Sequence, residues 1–125
     1  MSDALALLAV DDERPALEDL VRMLRASPLV GRVDAAASAA EALVALGGGG
    51  DAYDGLFLDV RMPGLGGLEL ARVLRRFQRP PAVVFVSAFD DAAVDAFELA
   101  ALDYLVKPVS RQRLDEAIER VRRGR

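Results

Sequence analysis

Cysteine and histidine are both absent from this chain of 125 residues. The first absence excludes disulfide scaffolds, thiolate metal sites and cysteine nucleophiles. The second removes the commonest general base and the commonest ligand of transition metals. Any chemistry must rest on carboxylates, hydroxyls, Lys or Arg, and carboxylates favour hard ions such as Mg²⁺. Lysine is nearly missing too: fifteen of the sixteen basic residues are Arg, and the only Lys is Lys107. The longest apolar run, Ala4 to Val10, falls far short of the ~20 residues of a membrane helix. The start Met-Ser-Asp lacks the basic-then-apolar layout of a secretory signal. A net charge of −4 leaves no overall basic excess to meet nucleic acid. Gly64, Gly66 and Gly67 do not form a dinucleotide fingerprint, and no Walker sequence occurs. Together these absences predict a soluble, cytoplasmic chain with no membrane contact and no DNA binding of its own.

What is present is 53% apolar and 29% charged residues, enough for one domain over 1–125 with its own core. Ala4 to Val10 reads as a strand covered on both faces and stopped by Asp11-Asp12. Pro15 opens a helix carrying Leu17, Leu20, Val21 and Leu24, which Ser27-Pro28 closes. Arg32 to Ala37 is a weaker strand. Ser38 and Glu41 then form a capping-box pattern ahead of a helix lined by Leu43, Val44 and Leu46, and Gly47 to Gly50 makes the following turn. Leu56-Phe57-Leu58 is a third strand, ended by Asp59. The loop Met62 to Gly67 feeds a helix marked by Leu68, Leu70, Ala71, Val73 and Leu74. Ala82 to Val86, behind Pro80-Pro81, is the clearest strand and ends at Ser87. Asp90 to Leu102 gives an alanine-rich helical pattern, with Asp90 and Asp91 as helix-start charges. Tyr104-Leu105-Val106 is a fifth strand, stopped by Lys107-Pro108, and Ser110 caps a final helix with Leu114, Ala117, Ile118 and Val121. Phe77, Phe85 and Phe97 are expected in the core or lining a groove. Five strand–helix pairs in alternation predict an α/β fold: a parallel sheet with helices on both faces.

In such open sheets, ligands bind at the carboxyl ends of the strands, near the switch in strand order. Strand one delivers Asp11 and Asp12 there, strand three Asp59, strand four Ser87 and strand five Lys107. Each has an ordinary structural account when taken singly. Asp11, Asp12 and Ser87 suit helix starts, Asp59 a turn, and Lys107 a solvated surface. Those accounts do not explain why all five fall on one edge. Three converging carboxylates repel one another unless a cation sits among them. With oxygen donors alone, Mg²⁺ is the natural ion, with Mn²⁺ as the alternative. A carboxylate beside such an ion and a lysine can attack a phosphoryl group, whose oxygens the positive charges neutralise.

Val10-Asp11-Asp12-Glu13, Leu58-Asp59-Val60-Arg61-Met62-Pro63-Gly64, Val86-Ser87-Ala88 and Tyr104-Leu105-Val106-Lys107-Pro108 resemble the motifs of response-regulator receiver domains. They occur in that family's order and spacing, and the resemblance covers essentially the whole chain. It implies a doubly wound, flavodoxin-like (βα)5 fold. It implies that Asp59 is the phosphoacceptor and that Asp11, Asp12, Asp59 and the Arg61 backbone carbonyl hold the metal. Lys107 would pair with the phosphoryl group, positioned by a cis bond to Pro108. Ser87 would be the switch hydroxyl and Tyr104 the switch aromatic that turns inward after it. Ala88 would leave the aspartate open to donors. The partner implied is a sensor histidine kinase, with acetyl phosphate as a small alternative donor. The face of the fourth helix, fifth strand and fifth helix is implied as a homodimer interface.

The stretch Ala96 to Val109 further resembles receivers of LytTR-type DNA-binding regulators. The arginine-rich end at Arg125 then implies an output domain beyond this chain, through which alone DNA and transcription would be reached. Three alternatives stand beside the switch. A receiver-like interaction module without phosphorylation would often lack one of Asp11, Asp12, Asp59 or Lys107. An aspartyl phosphohydrolase typically carries a second Asp where this chain has Arg61. A flavin binder would show in an absorbance spectrum.

Overall fold

The structure, a computed structural model, describes residues 4–47, 52–90 and 93–124. The glycine turn expected at 48–50 and the helix-start charge of Asp91 lie outside them. Strands and helices alternate as β1 (Leu5–Val10), α1 (Arg14–Arg25), β2 (Val30–Ala36), α2 (Ala39–Leu46), β3 (Gly55–Leu58), α3 (Gly67–Leu74), β4 (Ala82–Ser87), α4 (Ala93–Glu98), β5 (Asp103–Val106) and α5 (Arg111–Gly124). All neighbouring strands pair in parallel, in the order β2-β1-β3-β4-β5.

Successive side chains of a strand point to opposite faces, so continuous apolar strands need a cover on each side. Leu5, Leu7 and Ala9 of β1, with Phe57, Val84, Val86 and Leu105, pack against Leu17, Leu20 and Leu24 of α1 and Leu114, Ala117, Ile118 and Val121 of α5. Leu8 and Val10, with Leu56, Leu58 and Phe85, pack on the other face against Ala39, Ala42 and Leu46 of α2, Leu70, Ala71 and Leu74 of α3, and Ala96 of α4. This is the doubly wound sheet expected. Its order reverses at β1, which has β2 on one side and β3 on the other. The crevice past the ends of β1 and β3 is therefore the switch point where ligands gather.

Some local readings need correction. Ser38 caps α2 as expected, its Oγ accepting the Glu41 N–H at 3.1 Å. Glu41 does not complete the box, because its Oε1 accepts from the Ala37 N–H at 3.3 Å instead of from Ser38. Val44, expected on the packed side of α2, is 82% exposed. The described part of α4 ends at Glu98, well short of Leu102. Ala100 lies in the left-handed region at φ 60°. Its N–H donates to the Phe97 carbonyl at 3.0 Å, while the Ala101 N–H reaches the Ala96 carbonyl at 3.1 Å. This pair of bonds is a Schellman ending, which usually takes Gly at the position Ala100 fills. Phe85 is fully buried and Phe77 packs on the core, whereas Phe97 points outward, 83% exposed.

Candidate functional site

Hydrogen bonds from the Asp11 N–H to the Ala36 carbonyl and from the Asp59 N–H to the Val10 carbonyl carry the sheet one residue past β1 and β3. Both aspartates thus stand where the strands end and their side chains leave the core. The Lys107 N–H does the same beyond β5, donating to the Ser87 carbonyl at 2.7 Å. The loop after Asp59 is clamped down by Gly67. Its N–H donates to the Val60 carbonyl at 2.9 Å, and a Cβ there would lie 2.2 Å from the Asp59 carbonyl oxygen. No side chain fits between the start of α3 and the Asp59 backbone.

Asp11, Asp12 and Asp59 each bring a carboxylate oxygen within 4.8 Å of the others. Asp11 is 2% and Asp59 8% exposed, while Asp12 faces solvent. Asp11 is anchored at both oxygens. Oδ1 accepts the Glu13 N–H at 2.9 Å, which makes a local turn before α1, and Oδ2 accepts from Lys107 Nζ at 3.0 Å. The lysine is thus held by Asp11, bringing the chain's single lysine ammonium onto the carboxylate cluster. The Lys107–Pro108 peptide bond is cis.

The Asp59 carboxyl is pushed up from 3.8 to about 6. Burial contributes most, followed by the charge of Asp11 and, less, that of Asp12; Lys107 and the Arg61 backbone N–H act the other way. A buried acid beside two like charges is relieved by a nearby cation. The donors are all oxygens and three carry charge, which fits a hard divalent ion such as Mg²⁺.

Ser87, at the end of β4, is 1% exposed, and its Oγ accepts the Phe89 N–H at 3.2 Å. Tyr104 packs its ring 6.1 Å from that of Phe85 and donates its hydroxyl to the Phe89 carbonyl. Ser87 and Tyr104 therefore hold the same residue from two sides. Ala88 follows in the exposed loop. The Arg61 guanidinium lies 4.5 Å over the Phe89 ring. This contact joins the loops after β3 and β4 across the mouth of the site. Nothing in the spacing of Arg61 and Phe89 announces it, since it depends on how two distant loops meet.

Sequence reasoning also missed Asp103, which sits at the start of β5, 8% exposed. Arg113 of α5 donates to it through two nitrogens, at 2.9 and 2.6 Å, and Arg120 reaches it at 3.0 Å. Burial alone would raise this carboxyl, but the hydrogen bonds from Arg113 and Tyr104 and the two arginine charges hold it below the usual carboxylate range. The i, i+7 spacing of Arg113 and Arg120 on one helix face was the available signal.

The chain as a whole resembles known proteins. Residues 7–119 match the family model described as the response regulator receiver domain. An uncharacterized response regulatory protein of Yersinia pestis is 41% identical over 95% of this chain and 49% of its own length. The transcriptional regulatory protein LytR of Staphylococcus aureus is 36% identical over 92% of this chain and 46% of its own. The chain thus spans about half the length of the curated relatives it matches. Among solved structures, a response regulator receiver domain protein from Clostridium thermocellum superimposes with a TM-score of 0.85 at 28% identity, covering 96% of this chain and 95% of that one. The response regulatory domain of mrkE from Klebsiella pneumoniae gives the same TM-score and identity, over 96% and 97%. On sequence and fold alike, the chain belongs to the response regulator receiver domain family.

Proposed function

We propose that this chain is a phosphoryl-accepting switch in which Asp59 is the acceptor, Asp11, Asp12, Asp59 and the Arg61 backbone carbonyl hold Mg²⁺ (or Mn²⁺), and a sensor histidine kinase is the donor. The observation that carries it is the meeting of three carboxylates within 4.8 Å with Lys107 bonded to one of them. In the transfer, an Asp59 carboxylate oxygen forms an O–P bond as the P–N bond of the partner's phosphohistidine breaks. The departing imidazole keeps the electron pair. Lys107, already oriented by Asp11, pairs with a phosphoryl oxygen. A bound divalent cation supplies further positive charge to those oxygens. The absence of histidine from this chain fits a partner that provides it.

The readout follows from the shared hold on Phe89. A phosphoryl oxygen drawing in the Ser87 hydroxyl competes with the Ser87–Phe89 bond, and Tyr104 is then no longer fixed by the same loop. Ala88, small and between them, leaves room for the shift and for donors. Phosphorylation adds up to about two charges, which biases an equilibrium already present in the protein. The face of α4, β5 and α5 carries exposed Phe97 and Val106 beside Tyr104, which supports homodimerisation there as the output. Control of transcription, if LytR-like, belongs to a domain outside this chain, in a cytoplasmic protein. No helix among the described residues is long and apolar enough to cross a membrane.

The test is to locate the modification. After incubation with acetyl phosphate and Mg²⁺, borohydride trapping and peptide mapping should place one acyl phosphate on Asp59. A label on Asp11 or Asp12 instead would refute the assignment, whereas no label while Mg²⁺ is bound would leave a receiver that takes its phosphoryl group only from its own kinase.

A further inference from the structure

Most arginines among the described residues hold a partner; the exposed Arg14 at the start of α1 and a run of four beginning in α3 do not. The arginines of α5 all hold a carboxylate or carbonyl, and so do those in the last turn of α1 and in β2. Arg72, Arg75, Arg76 and Arg79 make no hydrogen bond, ion pair or ring contact among the described residues. All four are exposed, within eight residues of chain, on a protein of net charge −4. The negative end of the α3 dipole accounts for Arg72 in its last turn and for Arg75 at its C-cap. It does not reach Arg79. Such a segregated cationic cluster on an acidic protein is a local field suited to an anionic partner.

Beside the cluster lies a groove of about 300 Å³, and Arg75 forms part of its wall. Its remaining lining is apolar, chiefly Leu74, Pro80, Pro81, Leu99 and Leu102. The groove opens at the amino ends of β4 and β5, whereas Asp59 lies past the carboxyl end of β3. An occupant here leaves the phosphoacceptor free. One wall is the Schellman turn that ends α4, so the groove borders an element of the switching face.

We propose that this groove docks an acidic, amphipathic peptide segment of a partner protein, with apolar side chains in the groove, a carboxylate on Arg75 in its wall, and further carboxylates on Arg72, Arg76 and Arg79, which are near Arg75 in the chain. An apolar floor with Arg75 in its wall and three more exposed arginines close to it in the chain suits a helix presenting leucine-like anchors between acidic residues. Nucleic acid would find no exposed aromatic ring among the groove's lining residues on which to stack. The site is independent of phosphoryl transfer at Asp59.

The probe is a synthetic peptide of about twelve Glu and Leu residues, with leucines at i, i+3, i+4 spacing. It is titrated into the 15N-labelled protein, with a Lys-for-Glu peptide, a single-stranded oligonucleotide and phosphatidylglycerol vesicles as comparisons. We expect saturable amide shifts confined to residues 72–83 and 99–102, weakening with added salt. Binding should fall about tenfold in R75E/R79E. Leu99→Ser should weaken it comparably, and both variants should still be labelled at Asp59. Absence of saturable shifts, or equal binding of the Lys peptide, would overturn the proposal. So would binding of the oligonucleotide or vesicles in place of the peptide, or the same shifts arising from protein concentration alone.

Discussion

Replacing Asp59 with Asn removes a carboxylate that folding has made harder to ionise, so in Mg²⁺-free buffer the variant should be the more stable protein. In the folded state the Asp59 carboxyl titrates at about 6, against 3.8 for an unperturbed aspartate. Between those values the folded protein binds the proton that the unfolded chain has already released. Wild-type stability therefore falls as pH rises from about 4 to about 6 and stays level above. At about 1.36 kcal/mol per pH unit, the rise from 3.8 to about 6 sets a ceiling near ~3 kcal/mol. Solvent at the mouth of the site, where Asp12 is exposed, screens part of this, leaving about 1–2 kcal/mol. The assay is urea unfolding of both proteins from pH 4 to pH 8, in EDTA and in saturating Mg²⁺. We expect the curves to converge near pH 4 and the Asn variant to lead by that margin at pH 7.5. Mg²⁺ should raise wild type more than the variant, because binding stabilises the state that holds the ion. Equal stabilities at pH 7.5 in EDTA would refute the idea that burial and the neighbouring Asp11 charge strain this carboxylate.

Three other substitutions probe separate parts of the structure. Lys107→Gln removes the ammonium bonded to Asp11, and labelling by acetyl phosphate should slow by roughly a hundredfold; an unchanged pseudo-first-order rate would show that Lys107 does not serve the transfer. Gly67→Ala drives a Cβ against the Asp59 carbonyl oxygen, where it would lie at 2.2 Å, and should cost about 2–3 kcal/mol in urea unfolding. Ala100→Gly relieves a left-handed residue at φ 60° and should add about 0.5–1 kcal/mol of stability, detectable as a higher melting temperature.

Much of this molecule was legible because parallel strands buried on both faces leave uninterrupted apolar runs. Ala82 to Ser87 and Leu5 to Val10 could hardly be anything else, and a polar residue ending such a run marks the sheet edge. That logic picks out Asp11, Asp59, Ser87 and Lys107 from the sequence alone. The end of α4 was not legible. Its alanine-rich pattern continues to Leu102, but the chain turns at Ala100, and an alanine gives none of the warning a C-cap glycine would. Phe97 was misplaced for a related reason: a short helix with small neighbours can present an aromatic ring to solvent. The Arg61–Phe89 stack and the Asp103–Arg113–Arg120 network depend on how loops and helices meet in space, which local periodicity does not encode.

The first measurement to make is the intact mass of the protein after incubation with acetyl phosphate and Mg²⁺, with Asp59→Asn and Mg²⁺-free samples alongside. A phosphoryl-accepting switch predicts a gain of about 80 Da in wild type only, and only with the metal ion present. The same gain in Asp59→Asn, or in EDTA, would contradict Asp59 as a metal-assisted acceptor. No gain together with no Mg²⁺ binding would leave a receiver fold that serves as an interaction module without phosphorylation.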